Sequence, residues 1–153
     1  MKRDREKWTI ALNQKSYIEA MAKKFGQDTA RPTYTPLEPG TVLSKEQCPN
    51  VPIDEPYQVA NGHVLWPALI THPDVQCPIR LTVQFTQNPA TEHWRIIQYL
   101  YTTRDYWLVL GGEGDVGIGY VDADWALQMD RHSISGYCFH IGQGAVTWSL
   151  KRQ

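Results

Sequence analysis

The chain has 153 residues and a mass of 17.5 kDa, room for one ordinary domain and a small appendage. Hydrophobic residues at 42%, six of them tryptophan positions, can furnish a core, which excludes a disordered tail, a collagen and a disulfide-dense mini-protein. A formal net charge of −1 excludes a uniformly basic nucleic-acid binder, yet residues 1–25 hold seven Lys or Arg against three Asp or Glu, a basic segment on a mildly acidic body.

Trp8, Ile10 and Leu12 alternate with Thr9 and Ala11, the two-residue period of a half-buried strand. Ser16-Tyr17-Ile18-Glu19 has the spacing of a capping box, and Tyr17, Ile18, Met21, Ala22 and Phe25 follow at helical intervals. Lys23 and Lys24 suit the last turn of that helix, and Gly26 suits its stop. All ten prolines fall between Pro32 and Pro89, and residues 27–57 read as a Pro-rich connector. From Ala60 to Leu81 the pattern is apolar and helical in period, but Pro67, Pro73 and Pro78 interrupt it. An interior proline costs a helix about 3 kcal/mol, so this region is predicted as several short helices or one damaged one. Thr91 to Leu100 is again helical through Trp94, Ile97 and Leu100, and Tyr106 to Leu110 reads as a buried strand. Gly117–Asp124, Tyr137–Ile141 and Ala145–Leu150 then predict a three-stranded antiparallel meander, its second turn at Gly142-Gln143-Gly144. The class is α+β.

No chemistry follows from most of the usual motifs. Cys48, Cys77 and Cys138 are odd in number and widely spaced, and the five histidines form no pair at helical metal-ligand spacing. This favours a reduced, intracellular protein, in cytoplasm or nucleus and not secreted, since no apolar run follows the charged start. The most apolar stretch, Val64 to Ile70, is far short of the roughly 20 residues of a membrane span, so no membrane partner is expected. Gly112-Glu-Gly-Asp-Val-Gly117 has dinucleotide-loop spacing, but a strand follows it where a helix is required, and Glu113 and Asp115 oppose phosphate. Trp94, Trp107, Trp125 and Trp148 read as packing residues, and His93 and His132 as helix-start and turn residues. Tyr120-Val-Asp122-Ala-Asp124 is sharper: carboxylates two apart on a strand share a face and could reach one divalent cation.

Tyr120-Val-Asp-Ala-Asp-Trp-Ala126, Arg131-His-Ser-Ile-Ser-Gly-Tyr137, Gly144-Ala-Val-Thr-Trp-Ser149 and Lys151-Arg-Gln153 together resemble the opening of the ribonuclease H domain in Pol polyproteins of copia-type retrotransposons. Upstream, Leu12-Asn-Gln-Lys-Ser-Tyr-Ile-Glu19 with Phe25-Gly26 is similar to the end of that family's reverse transcriptase. Thr35-Pro-Leu37, Thr71-His-Pro-Asp74 and Asn88-Pro-Ala-Thr-Glu-His-Trp94 are similar to its connecting region. The resemblance implies four segments: a reverse-transcriptase strand-helix at 1–26, a connector at 27–57, a helical connection at 58–105, and an incomplete ribonuclease H-like domain at 106–153.

It also implies an RNA-directed DNA polymerase joined to a magnesium-dependent nuclease, with Asp122 matching the nuclease's first metal-binding aspartate. Asp124 lies in the same motif outside the core catalytic set. The polymerase's Tyr-x-Asp-Asp tetrapeptide does not occur in the chain, and the nuclease's later carboxylates are expected beyond Gln153. The leading expectation is therefore a polyprotein fragment without independent catalysis, in which Asp122 is vestigial and Mg2+ is not held stably by this chain alone. One alternative is a module that holds an RNA–DNA hybrid or other nucleic acid through Lys15, Lys23 and Lys24. Another is ribonuclease H activity completed in trans. Half a nuclease sheet would leave an open strand edge, so marginal stability or self-association is expected.

Overall fold

A computed structural model describes residues 1–38, 41, 57–83, 94–114, 116–124 and 134–152. The chain divides into two compact units, a sheet unit from residues 1–13 and 107–153, and a helical unit from residues 14–106.

The helical unit begins with α1 (Lys15–Lys24), which buries Ile18, Met21 and Ala22 as the spacing predicts. The capping box is not formed. Gln14 is the N-cap and no side chain caps the helix, because it starts one residue before Ser16 and leaves that serine inside the first turn. Glu19 instead meets Lys15 at 4.0 Å and the Arg104 guanidinium at 3.3 Å, while the Gln14 amide oxygen accepts the Thr71 hydroxyl at 2.6 Å. The stop at Gly26 is realised with φ +64°. Its N–H donates to the Lys23 carbonyl and the Gln27 N–H to the Ala22 carbonyl, the pair of bonds that closes a Schellman turn.

The described part of the connector before Tyr57 has no helix or strand, but Arg95 of the last helix holds it. Its guanidinium donates to the Thr35 carbonyl and hydroxyl and pairs with Glu38 at 2.6 Å. Residues 39, 40 and 42–56 of the connector and the predicted helix start at 91–93 lie outside the described residues.

Pro67 does not end its helix. α2 runs unbroken from Tyr57 to Ile70, followed by a 3-10 turn at Pro73–Val75 and α3 (Gln76–Val83). A proline at 67 removes the N–H that would bond the His63 carbonyl one turn back. Here the Tyr17 hydroxyl of α1 donates to that carbonyl at 3.0 Å, so the group is satisfied from another helix. α4 (Arg95–Thr102) turns Ile96, Ile97, Tyr99 and Leu100 inward. With Ile18, Met21, Ala60, Val64, Ala68, Val75 and Ile79 they form one core, and Trp94 packs into it edge-on to Tyr57 at 5.4 Å. Trp94 is thus a packing residue, as expected.

Two three-stranded antiparallel sheets make up the other unit. In the first, β1 (Lys2–Asp4) pairs with β2 (Thr9–Leu12), which pairs with β3 (Leu108–Gly111), Ile10 lying opposite Leu110. Both strand readings shift here. Trp8 is outside β2 and 80% exposed, and β3 begins at Leu108 and is half-buried, with Tyr106 and Trp107 exposed before it. The second sheet is the meander expected: β4 (Val116–Asp124), β5 (Ile134–Ile141) and β6 (Gly144–Arg152), in that spatial order. Its inner turn is tight against β3. Gly111 and Gly142 form a parallel bridge, and a Cβ on Gly144 would fall 1.9 Å from the Val109 carbonyl oxygen. The Gly112–Gly117 stretch therefore joins two strands and opens no helix, in line with the loop reading.

Candidate functional site

Asp122 is placed by β4. Eight residue pairs hold that strand in register against β5, and Asp122 falls opposite Gly136, with Tyr120 two residues back on the same face. Gly136 offers no side chain, and the space a Cβ would enter is taken by Leu150 of β6, 3.0 Å away. Asp122 is exposed. Asp124 is opposite Ile134, and its side chain lies outside the described residues, as do Asp115, Trp125 and the turn with Arg131 and His132.

Magnesium requires near-octahedral oxygen ligation, and proteins hold it through one or two carboxylates together with substrate phosphates. Among the described residues no three His, Cys, Asp or Glu side chains converge as a metal would need. Among the described side chains, Asp122 supplies one carboxylate toward such a site, and that of Asp124 on the same strand lies outside them.

The three lysines are not brought together. Lys15 opens α1 and Lys23 and Lys24 close it, about 12 Å apart along the axis at 1.5 Å per residue. Lys15 is engaged: its ammonium lies 2.7 Å from the Asp105 carboxylate, which holds the lysine pKa above its usual value and the aspartate below its own. Lys24 donates to His63 Nε2 at 2.9 Å, and Lys23 is exposed. Phosphate binding at Lys15 must compete with Asp105.

The His63 ring is the centre of a closed relay. Lys24 donates to Nε2, so Nδ1 carries the proton and donates to the Tyr17 hydroxyl at 3.1 Å, which in turn donates to the His63 carbonyl. Partial burial, and then the Lys24 charge, lower the His63 pKa. A second network joins the 3-10 turn to α4. Asp74 accepts from the Tyr99 hydroxyl and lies 3.5 Å from His72 Nδ1. Burial alone would raise the Asp74 pKa, but the bonds from His72 and Tyr99 outweigh it and hold the carboxyl low. Burial likewise pushes the Tyr57 hydroxyl up to about 12.

Sequence reasoning overlooked one pair of chemistry-bearing residues. Cys138 Sγ and His140 Nε2 stand 3.3 Å apart on one face of β5, with Tyr120 edge-on to the imidazole at 5.5 Å. A search at helical spacing misses it, because on a strand the same-face spacing is two.

The chain is 34% identical to the retrovirus-related Pol polyprotein from transposon TNT 1-94 of Nicotiana tabacum, over 99% of this chain and 12% of that protein. It is 31% identical to the putative transposon Ty5-1 protein of Saccharomyces cerevisiae, over 94% of this chain and 48% of that one. It is also 36% identical to the secreted RxLR effector protein 161 of Plasmopara viticola, over 64% of this chain and 73% of the effector. The chain thus spans about an eighth of the tobacco polyprotein and about half of the yeast protein. No family profile and no solved structure matches it. Transposon Pol polyproteins of two plants align along 94–99% of this chain at 28–34% identity, which supports a transposon-derived fragment similar to part of a retrotransposon Pol polyprotein.

Proposed function

We propose that this chain is a reverse-transcriptase and ribonuclease H segment of a transposon polyprotein that does not cleave or polymerise by itself. The observation that carries the reading is the setting of Asp122. The motif-matching carboxylate is exposed on β4 opposite Gly136, and among the described residues no three His, Cys, Asp or Glu side chains converge. Two-metal hydrolysis of a phosphodiester needs several carboxylates to hold ions about 4 Å apart. One acid cannot supply that geometry.

The reading also includes self-association. Among the described residues β4 is bonded on one side only, by β5, so its other edge offers free amides and carbonyls to a further strand. Sedimentation velocity is expected to show the weight-average mass rising with concentration, and a monomer at all concentrations would contradict this.

The catalytic part is tested by incubating a labelled RNA–DNA hybrid with the chain and Mg2+, beside Asp122→Asn. Background cleavage by both proteins is expected. Cleavage by the parent chain that Asp122→Asn abolishes would overturn the reading and favour an active nuclease.

A further inference from the structure

Cys138 and His140 stand two residues apart on β5 and so share one face of the second sheet. The atoms that meet are the reactive ones, the thiol Sγ and the imidazole Nε2, 3.3 Å from each other. A nucleophile and a base held within such reach is the arrangement that activates a cysteine, because the thiolate and not the thiol attacks. Both residues are half-buried, so their neighbours hold them while some of their surface still meets solvent.

The sheet register does the holding. Cys138 lies opposite Tyr120 of β4 on one side and Trp148 of β6 on the other. The Tyr120 ring meets the imidazole edge-on at 5.5 Å, which limits how far the imidazole can turn. Among the described side chains on this face, β4 presents the titratable Tyr120 and, two residues on, Asp122, while β6 presents the uncharged Trp148 and Leu150. His140 is the basic group beside the sulfur. Zinc is a poorer match for the pair, since it takes at least three protein ligands and no three His, Cys, Asp or Glu side chains converge among the described residues.

Cys77 of α3 offers a contrast within the same chain. It is exposed at its surface, but burial of the thiol's surroundings pushes its pKa up, and the Arg80 charge offsets this only in part.

We propose that Cys138 is a reactive thiol, activated by His140, that forms a mixed disulfide with a low-molecular-weight disulfide of the glutathione type. His140 Nε2 accepts the S–H proton, and the Cys138 thiolate attacks one sulfur of the disulfide. A bond forms between Cys138 Sγ and that sulfur as the bond between the two small-molecule sulfurs breaks. The departing thiolate leaves with the electron pair and takes up the proton from the His140 imidazolium. Cys138 is oxidised, and one half of the disulfide is reduced to its thiol. The site requires nothing of Asp122, so it stands or falls apart from the catalytic reading above.

The test is a timed reaction of the full chain with oxidised glutathione at pH 8 and pH 6.5, with the adducts located and quantified by tandem mass spectrometry. At pH 6.5 Cys138 is expected to react roughly tenfold faster than Cys77 of the same molecule. Between pH 8 and 6.5 the rate at Cys138 should fall only a few fold. In His140→Asn it should fall roughly 25-fold, the loss of thiolate expected of an unassisted thiol with a pKa of about 8.5. Timing Cys77 within the parent chain keeps the comparison valid even where His140→Asn does not fold. Reaction at Cys138 no faster than at Cys77 at pH 6.5 would overturn the proposal. The same would follow from equal pH slopes at Cys138 in the folded parent and in folded His140→Asn, or from an adduct at Cys77 with none at Cys138.

Discussion

Pro67 shows how one residue's defect is corrected by another's hydroxyl. The ring deprives the His63 carbonyl of its helical donor, and the Tyr17 phenol supplies a replacement from α1. Tyr17→Phe should therefore lower stability by about 1 kcal/mol in urea unfolding, the cost of leaving a partly buried acceptor unmet. In a Pro67→Ala background the helix amide returns, and the same substitution should cost markedly less. Equal costs in the two backgrounds would show the two residues to be uncoupled. Gly144 is a second single-residue constraint. A methyl group there would meet the Val109 carbonyl oxygen at 1.9 Å, a backbone atom that cannot swing aside. Gly144→Ala should destabilise the sheet unit by about 1–3 kcal/mol, measured by the same unfolding assay, and an unchanged midpoint would contradict the close approach.

At the scale of elements, the helical unit is held by two titrating networks, and their signs agree. His63 has a lowered pKa in the folded chain, so the unfolded chain takes up its proton first as pH falls. Its contribution is present above the unfolded value near pH 6.5 and is lost as pH falls through the lower folded value. Asp74 also has a lowered pKa, so its contribution is present above about pH 3.9 and disappears at still lower pH. Urea midpoints measured from pH 7.5 down to about 3 should fall in two stages. His63→Gln should flatten the first and Asp74→Asn the second, and a stage that survives its substitution would refute the assignment. Much at this scale was legible in the sequence. The apolar period and Gly26 define α1, and alternation with a Gly-Gln-Gly turn defines the β5–β6 hairpin. What was not legible depends on partners distant in the chain. β1 is three charged residues with no period to detect, and it forms because β2 lies beside it. β2 in turn pairs with β3 some 100 residues later. The capping box failed because the helix starts at Lys15 and leaves Ser16 inside its first turn, while Glu19 pairs with Arg104, a contact that spacing within a helix does not disclose.

For the whole molecule, the transposon origin rests on sequence, and the two compact units show what its segments build. The chain leaves the sheet unit after Asn13 and returns at Trp107, so the segment resembling the reverse-transcriptase end contributes two strands to one unit and a helix to the other. The candidate site was legible only in part. Asp122 stands on a strand as its motif implies, but what it faces depends on the β4–β5 register, which sets it opposite Gly136. Lys15 looked available as a cation in a basic segment, yet Asp105, far along the chain, takes it. No helix among the described residues is long and apolar enough to cross a membrane. On the proposed reading Asp122 forms no metal centre by itself. Its most direct test is Mn2+ binding to the full chain, followed by electron paramagnetic resonance with Asp122→Asn in parallel, since Mn2+ favours the same carboxylate ligands as Mg2+. The account predicts weak binding that is the same for both proteins. A saturable micromolar site of one ion per chain, lost in Asp122→Asn, would contradict it.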